Sequence, residues 1–280
     1  MAARKFNFEH RHTERVASVA DLMAHIKVLK TRVNAQIWYR GQAKPYSPNP
    51  ELVPGIGHHH TYNGRRIDRF NLREERNLLH RFRRRSYHHL GRVLNDWEAL
   101  FLARHHGLPT RIMDWTASPL VGLWFACSAH TDHPGFIWAM ARVPDEKDDL
   151  DVLNFSSSVS SPLDWPGAPT AAEPDATTDD AVKILHPFYN SPRIISQHGV
   201  FTLHSDPRRS LETYHGEEFR EERLDIQVLV RWDVAPKDPK LAIVEELEDM
   251  GVNQRTVYPD LDGLAAGLWQ SIVLRQGTKL

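Results

Sequence analysis

The chain has 280 residues, 41% of them hydrophobic, with 35 Lys and Arg against 36 Asp and Glu and a single cysteine. That supplies a sizeable core, excludes an intrachain disulfide, and excludes a chain that is basic throughout. No run approaches the ~18 uncharged apolar residues of a membrane span, and the charged start "MAARKFNFEHRHTERV" lacks the apolar stretch of a signal peptide, so a cytoplasmic globular protein with no membrane partner is expected.

In chain order, "VASVADLMAHIKVLKTRV" (16–33) repeats apolar residues at helical spacing, with Ser18 as cap. "AQIWYRGQA" reads as a strand stopped by Gly41, and 43–66, rich in Pro, Gly, Asn and His, as a loop. Residues 72–91 form a basic amphipathic helix with Leu78, Leu79, Phe82 and Leu90 broadly on one side. "DWEALFLARHHG" is a second helix, capped by Asp96, with Trp97, Leu100 and Phe101 inward and Gly107 at its end. "SPLVGLWFACSAH" has Ser118 as N-cap and Pro119 at the first helical position, and being apolar on nearly every side it should be central and buried. "GFIWAMARV" (135–143) is a strand, and 144–180, acidic and rich in Ser, Pro and Ala, reads as a flexible insertion. Strand candidates follow at 193–204 and 224–232, then a helix ended by Gly251 and a final helix with Asp262 as cap. The sum is one α+β domain over 1–280, with N-terminal helices and a central mixed β-sheet.

Local charge is uneven. Residues 64–92 hold ten arginines against three acids, net +7, and 145–180 hold ten acids against Lys147, net −9. Two solvated surfaces that face each other account for this, and so does a basic groove for a phosphate-rich ligand.

Three stretches carry candidate chemistry. In "WYRG" an arginine fork, Arg40, stands beside the bare backbone of Gly41, which suits a phosphate or ribose oxygen; a structural Arg–carboxylate pair is the plainer reading. In "RHHGLPTRIMDWTASPLVGLWFAC" (104–127), Thr116 and Ser118 flank a helix start that favours anions. Arg111 can clamp an anion or pair with Asp114, and His105 and His106 can move protons. The apolar helix behind them would be a rigid platform. In "RIISQHGVFTLH", Gln197 shares a strand face with Ile195 and Gly199, and can bond a ribose hydroxyl or simply a backbone group. "HHH" at 58–60 has no partner at a familiar zinc spacing, so no metal is expected, and Cys127 reads as a small core residue. No GxSxG, P-loop or GxGxxG is present.

These motifs resemble the FRG-domain family: Tyr39-Arg40-Gly41, the central "ARHHGLPTRIMDWTASPLVGLWFA" (103–126), the R-x-x-x-Q-x-G-x-F of Arg193, Gln197, Gly199 and Phe201, and "YPDLDGLA" (258–265). The resemblance spans about 17–268. The order of the motifs also resembles ADP-ribosyltransferases of the Arg–Ser–Glu type, which implies a split sheet and NAD as substrate. By that resemblance Tyr39, Arg40, Gly41 and Arg111 border the NAD phosphates or ribose, while Thr116 and Ser118 hold the nicotinamide-side ribose. Gln197 then stands where a catalytic glutamate is usual, a neutral group that can hold a ribose hydroxyl but cannot offset developing positive charge. Arg40, His106, Asp114 and Gln197 are the catalytic candidates. ADP-ribose would pass to a macromolecule, protein or nucleic acid, or to water, as in a toxin or phage-defence effector. Two other readings stay open: NAD-independent nucleic-acid processing by His105, His106 and Asp114, and a non-catalytic nucleotide sensor.

Overall fold

The computed structural model describes residues 12–33, 35–46, 52–58, 60–62, 65–67, 72–142, 182–187, 191–213, 226 and 228–277; the acidic stretch 144–180 lies outside them. Seven strands form one mixed sheet. Across it run β1 (His12–Arg15), β9 (Val228–Val234), β6 (Gly135–Arg142), β2 (Gln36–Gln42), β5 (Ile112–Thr116), β8 (Gly199–His204) and β7 (Val182–Leu185). The β1–β9 pair is parallel and the other neighbours are antiparallel. With its helices this is an α+β fold.

One face of the sheet carries two separate helical layers. Over β9, β6 and β2 lie α1 (Val19–Arg32), α4 (Pro119–Cys127) and α6 (Asp238–Asp249), whose Leu22, Ile26, Leu123, Ile243 and Leu247 pack against Ile37, Tyr39, Ile137 and Trp232. Over β5, β8 and β7 lie α2 (Leu72–Leu90) and α3 (Asp96–His105), whose Leu79, Trp97, Leu100 and Phe101 pack against Ile112, Leu185, Phe201 and Leu203. The opposite face buries Trp38, Met113, Trp115, Trp138 and Met140. Apolar residues on both faces explain why β6 reads as a continuous apolar run rather than an alternating one.

A seam separates the two halves. Strand β2 pairs with β6 over seven residues, but with β5 only at Tyr39↔Thr116. Beyond that pair the backbone ladder is replaced by a side chain: Arg40 Nη1 donates to the Asp114 carbonyl at 2.7 Å. The sheet is therefore one body with a thinned ladder, and the helical layers part above that seam.

Several local expectations are corrected. Gly41 lies within β2 and does not stop it. A Cβ there would stand 2.0 Å from the Gly122 carbonyl oxygen and 2.6 Å from the Ala126 nitrogen, so glycine is required because α4 rests directly on the strand. Residues 43–66 contain a short 3₁₀ turn at Gly55–Gly57 and a strand, β3 (His60–Tyr62), that pairs with β4 (Arg65–Ile67). Asn95, not Asp96, caps α3, in a reciprocal capping box with Glu98; Asp96 instead receives Arg83 at 2.5 Å. The stretch 193–204 is not all strand: Pro192–Ser196 form a short helix, α5, capped by Ser191, Gln197 and His198 turn, and β8 begins at Gly199. Pro192 at the first helical position and the capping serine outweigh the β-branched Ile194 and Ile195. The last helices are α7 (Gln254–Val257) and α8 (Leu261–Gly277), and Asp260, not Asp262, accepts the Gly263 N–H at the start of α8, at 2.8 Å.

Ser18, Ser118, Pro119, Gly107 and Gly251 stand where the sequence puts them, the last two at φ near +80° just past their helices. Among the described residues no helix is long and apolar enough to cross a membrane, and no cluster of His, Cys, Asp or Glu could hold a metal ion.

Candidate functional site

The parting of the helical layers leaves a cleft of about 330 Å³ above the seam. Its floor is β2 and β5, presenting Tyr39, Arg40, Gly41, Asp114 and Thr116. One wall is the end of α3, with Arg104 and His105; the other is Phe125 of α4 and Tyr258; α5 and the turn after it close the end with Arg193 and Gln197. Elements far apart in sequence converge because β5 lies between β2 and β8 in the sheet.

At the centre is Asp114, its side chain 46% exposed. Arg104 grips it through both Nε (2.9 Å to Oδ2) and Nη2, and Arg40 Nη1 stands 3.9 Å from Oδ2. Partial burial pushes the carboxyl upward, but Arg104 and Arg40 outweigh it and hold the group below its usual range, so it is ionised at neutral pH. Arg40 is 14% exposed, and burial lowers its guanidinium from the ordinary value while Asp114 opposes that. Of its five N–H donors only Nη1 is engaged among the described residues, and its buried Nε has no partner there.

The rim adds a second cation and a stacking platform. Arg193 donates to Asp260 at 2.7 Å and lies 4.7 Å above the Tyr258 ring. Tyr258 packs edge-on against Trp124 and Phe125, and burial raises its phenol, so it remains protonated. His105 Nδ1 is 3.1 Å from Ser191 Oγ; burial, then His106 and Arg193, lower its imidazole from 6.5 and keep it neutral at pH 7.

The turn leading into α4 is closed by its own structure. Thr116 Oγ1 donates to the Gln197 carbonyl (2.6 Å) and accepts from Ser118 N–H (3.0 Å), while Ala117 N–H donates to the His198 carbonyl. Ser118 caps Val121 N–H. The Ala117, Ser118 and Val121 N–H groups, expected to face an anion there, are therefore used within the protein. Gln197 donates from Nε2 to the Val257 carbonyl at 3.1 Å, and its Oε1 makes no hydrogen bond among the described residues.

The cleft thus brings together Tyr39, Arg40, Gly41, Asp114, Thr116 and Gln197, with Gln197 on a turn rather than a strand. It leaves out three other sequence candidates. Arg111 is 1% exposed, in a buried pair with Glu75, which takes its Nε at 2.6 Å and its backbone N–H at 2.7 Å; Asp114 is not its partner. Ser118 acts as a cap outside the cleft. His106 is exposed, its ring edge-on to His105 at 4.8 Å and tilted toward Phe82 of α2 at 6.5 Å, and it does not line the cleft with His105 and Asp114. Conversely, Arg104, Arg193, Tyr46 and Tyr258 line the cleft and received no role from the sequence. Arg104, Arg193 and Tyr258 lay inside the quoted family motifs, which was the available signal.

Residues 35–134 match the FRG domain family, a narrower span than 17–268. The matched stretch supplies Arg40, Arg104, Asp114 and Thr116, whereas the wall formed by Arg193, Gln197 and Tyr258 lies beyond it. No curated protein and no solved structure matches the chain.

Proposed function

We propose that the cleft binds a nucleotide by its phosphates and ribose, that NAD is this nucleotide, and that the protein breaks the nicotinamide–ribose bond. ADP-ribose then passes to a macromolecule or to water. The observation that carries the reading is Arg40, inside the cleft with most of its donors unengaged among the described residues, beside the ionised and half-exposed Asp114. Arg40 offers forked donors to a diphosphate, Arg193, its Nε and Nη2 held by Asp260, adds positive charge at the rim, and Tyr46 offers a face for a flat ring. When nicotinamide leaves, positive charge grows on the ribose. Among the described residues Asp114 is the carboxylate that lines the cleft, and it supplies the negative charge that Gln197 lacks. Gln197 Oε1 accepts a ribose hydroxyl, its amide nitrogen being fixed on Val257.

Nucleotide binding without turnover is the second reading. It is favoured by the two-atom grip of Arg104 on Asp114, which offsets the negative charge the reaction needs.

The full chain incubated with NAD, with nicotinamide and ADP-ribosyl products followed by chromatography, tests the first reading. Release is expected, and Asp114→Asn lowers it by about 10²–10³-fold. Arg40→Ala abolishes it through loss of binding. No release under any condition, or release from both variants equal to that of the parent, overturns catalysis. Calorimetric NAD binding that Arg40→Ala removes, without release, establishes the second reading instead.

A further inference from the structure

Helix α2 has no part in the cleft, yet it carries the strongest local charge in the described chain. We infer that α2 and the groove beside it form a binding surface for single-stranded nucleic acid. The helix is 19 residues long, about 28 Å at 1.5 Å per residue. Arg81, Arg84 and Arg85 are exposed along it and make no ion pair among the described residues, whereas Arg83 and Arg92 are tied to Asp96 and Glu98.

Two hollows border these arginines. One, of about 700 Å³ between α2 and α3, has an apolar floor including Phe82, Leu102 and Leu108 and a rim including Arg81 and Arg85. The other, of about 620 Å³, sets Arg81 and Arg84 beside Tyr87, which is 54% exposed. An apolar or aromatic floor with a guanidinium rim suits a strand whose unpaired bases lie inward while its phosphates run outside. A duplex hides those bases and could use the rim alone. An acidic peptide needs only cations, whereas here each hollow sets two exposed arginines, drawn from Arg81, Arg84 and Arg85, beside apolar or aromatic surface.

The groove also leads toward the cleft. His106 is on its rim, with its ring 6.5 Å from Phe82, and the next residue toward the N-terminus, His105, lines the cleft. A strand held on α2 is therefore delivered beside the nucleotide site. Only this last step, nucleic acid as acceptor, rests on the function proposed above; the binding itself does not.

The test is fluorescence anisotropy of a labelled mixed-sequence single-stranded oligonucleotide with the full chain, without NAD, over a range of salt. Binding is expected to weaken with salt. In R81Q/R84Q/R85Q it weakens by tenfold or more, and the log–log salt slope falls by about 2, from ~0.7 per lost phosphate contact. Tyr87→Ala costs about tenfold at constant slope, as loss of one stacked base. Both variants change exposed positions, and an unaltered melting temperature confirms the fold. Four results would each overturn the inference: no binding at low salt, equal affinity in the triple variant, tighter binding of a duplex of the same length, or equal binding of polyglutamate. The last two assign the surface to a generic polyanion or an acidic protein. Because NAD is absent from the assay, a failure here says nothing of NAD cleavage, and the reverse also holds.

Discussion

Gly41→Ala separates two accounts of the Arg-Gly pair. In one, the glycine leaves bare backbone for an anion to approach. In the other, it lets α4 sit on β2. The geometry supports the second, since the added methyl would meet the Gly122 oxygen at 2.0 Å, the Ala126 nitrogen at 2.6 Å and the Phe125 Cβ at 2.7 Å. Two of these are helix backbone, which cannot rotate away, so α4 must lift from the strand. Overpacking a core by a methyl group costs about 1–3 kcal/mol and more where the neighbours are rigid, so about 3 kcal/mol is expected. For a chain of this size that lowers the melting temperature by roughly 6–12 °C. Gly107→Ala is the control: its φ is +80°, with nothing within 4 Å of an added Cβ. Only the left-handed backbone opposes that change, at about 1 kcal/mol, or roughly 2–4 °C. Differential scanning calorimetry of both variants checks the pair. A Gly41→Ala protein that melts within about 2 °C of the parent but no longer binds NAD would refute the packing account and restore the anion one.

Three further outcomes follow from individual groups. Glu75→Ala leaves Arg111 buried without its carboxylate, at a cost of about 3–5 kcal/mol in urea unfolding, while Glu75→Leu with Arg111→Met recovers most of it; little loss in the single variant would mean that water reaches the pair. His204 is fully buried and its imidazole is pushed down to about 3, so between pH 6.5 and 3 the unfolded chain takes up a proton that the folded one refuses. Stability should therefore fall with decreasing pH in that window by up to about 1.4 kcal/mol per unit, a component that His204→Phe removes from the unfolding curves. In Arg104→Gln the burial of Asp114 is no longer outweighed by its nearest cation, so its carboxyl titrates at higher pH than in the parent by carbon NMR; an unmoved titration would show that Arg104 does not set it.

Much of this fold can be read in the sequence where one signal dominates. Helix α4 announces itself by Ser118, Pro119 and an unbroken apolar run, and helix ends at Gly107 and Gly251 follow from glycine's tolerance of positive φ. The misreadings have a common cause in long-range contacts. Arg111 stands three residues before Asp114, and that nearness suggests a pair, but Ile112 and Asp114 share one face of β5 while Arg111 precedes the strand and reaches Glu75, 36 residues away. In α5, β-branched Ile194 and Ile195 give a strand signal that Ser191 and Pro192 override, and Gln197 is moved from a strand face to a turn. His105 and His106 are equivalent in sequence; only the end of α3 decides that one enters the cleft and the other faces α2.

The seam in the sheet links these points to the site. A regular ladder between β2 and β5 would pair the Asp114 carbonyl with backbone and leave no reason for a guanidinium between the strands. With pairing reduced to Tyr39↔Thr116, that carbonyl takes Arg40 instead, and a cation enters the body of the sheet. A buried guanidinium is costly unless charge opposes it, and Asp114 and Arg104 complete a network that runs from the seam to the cleft. The helices cannot close over such a polar group without desolvating it, so α3 and α4 stand apart and the cleft remains. The missing ladder, the parted helices and the charged pocket are thus one feature, and substitution of Arg40 should disturb sheet and pocket together.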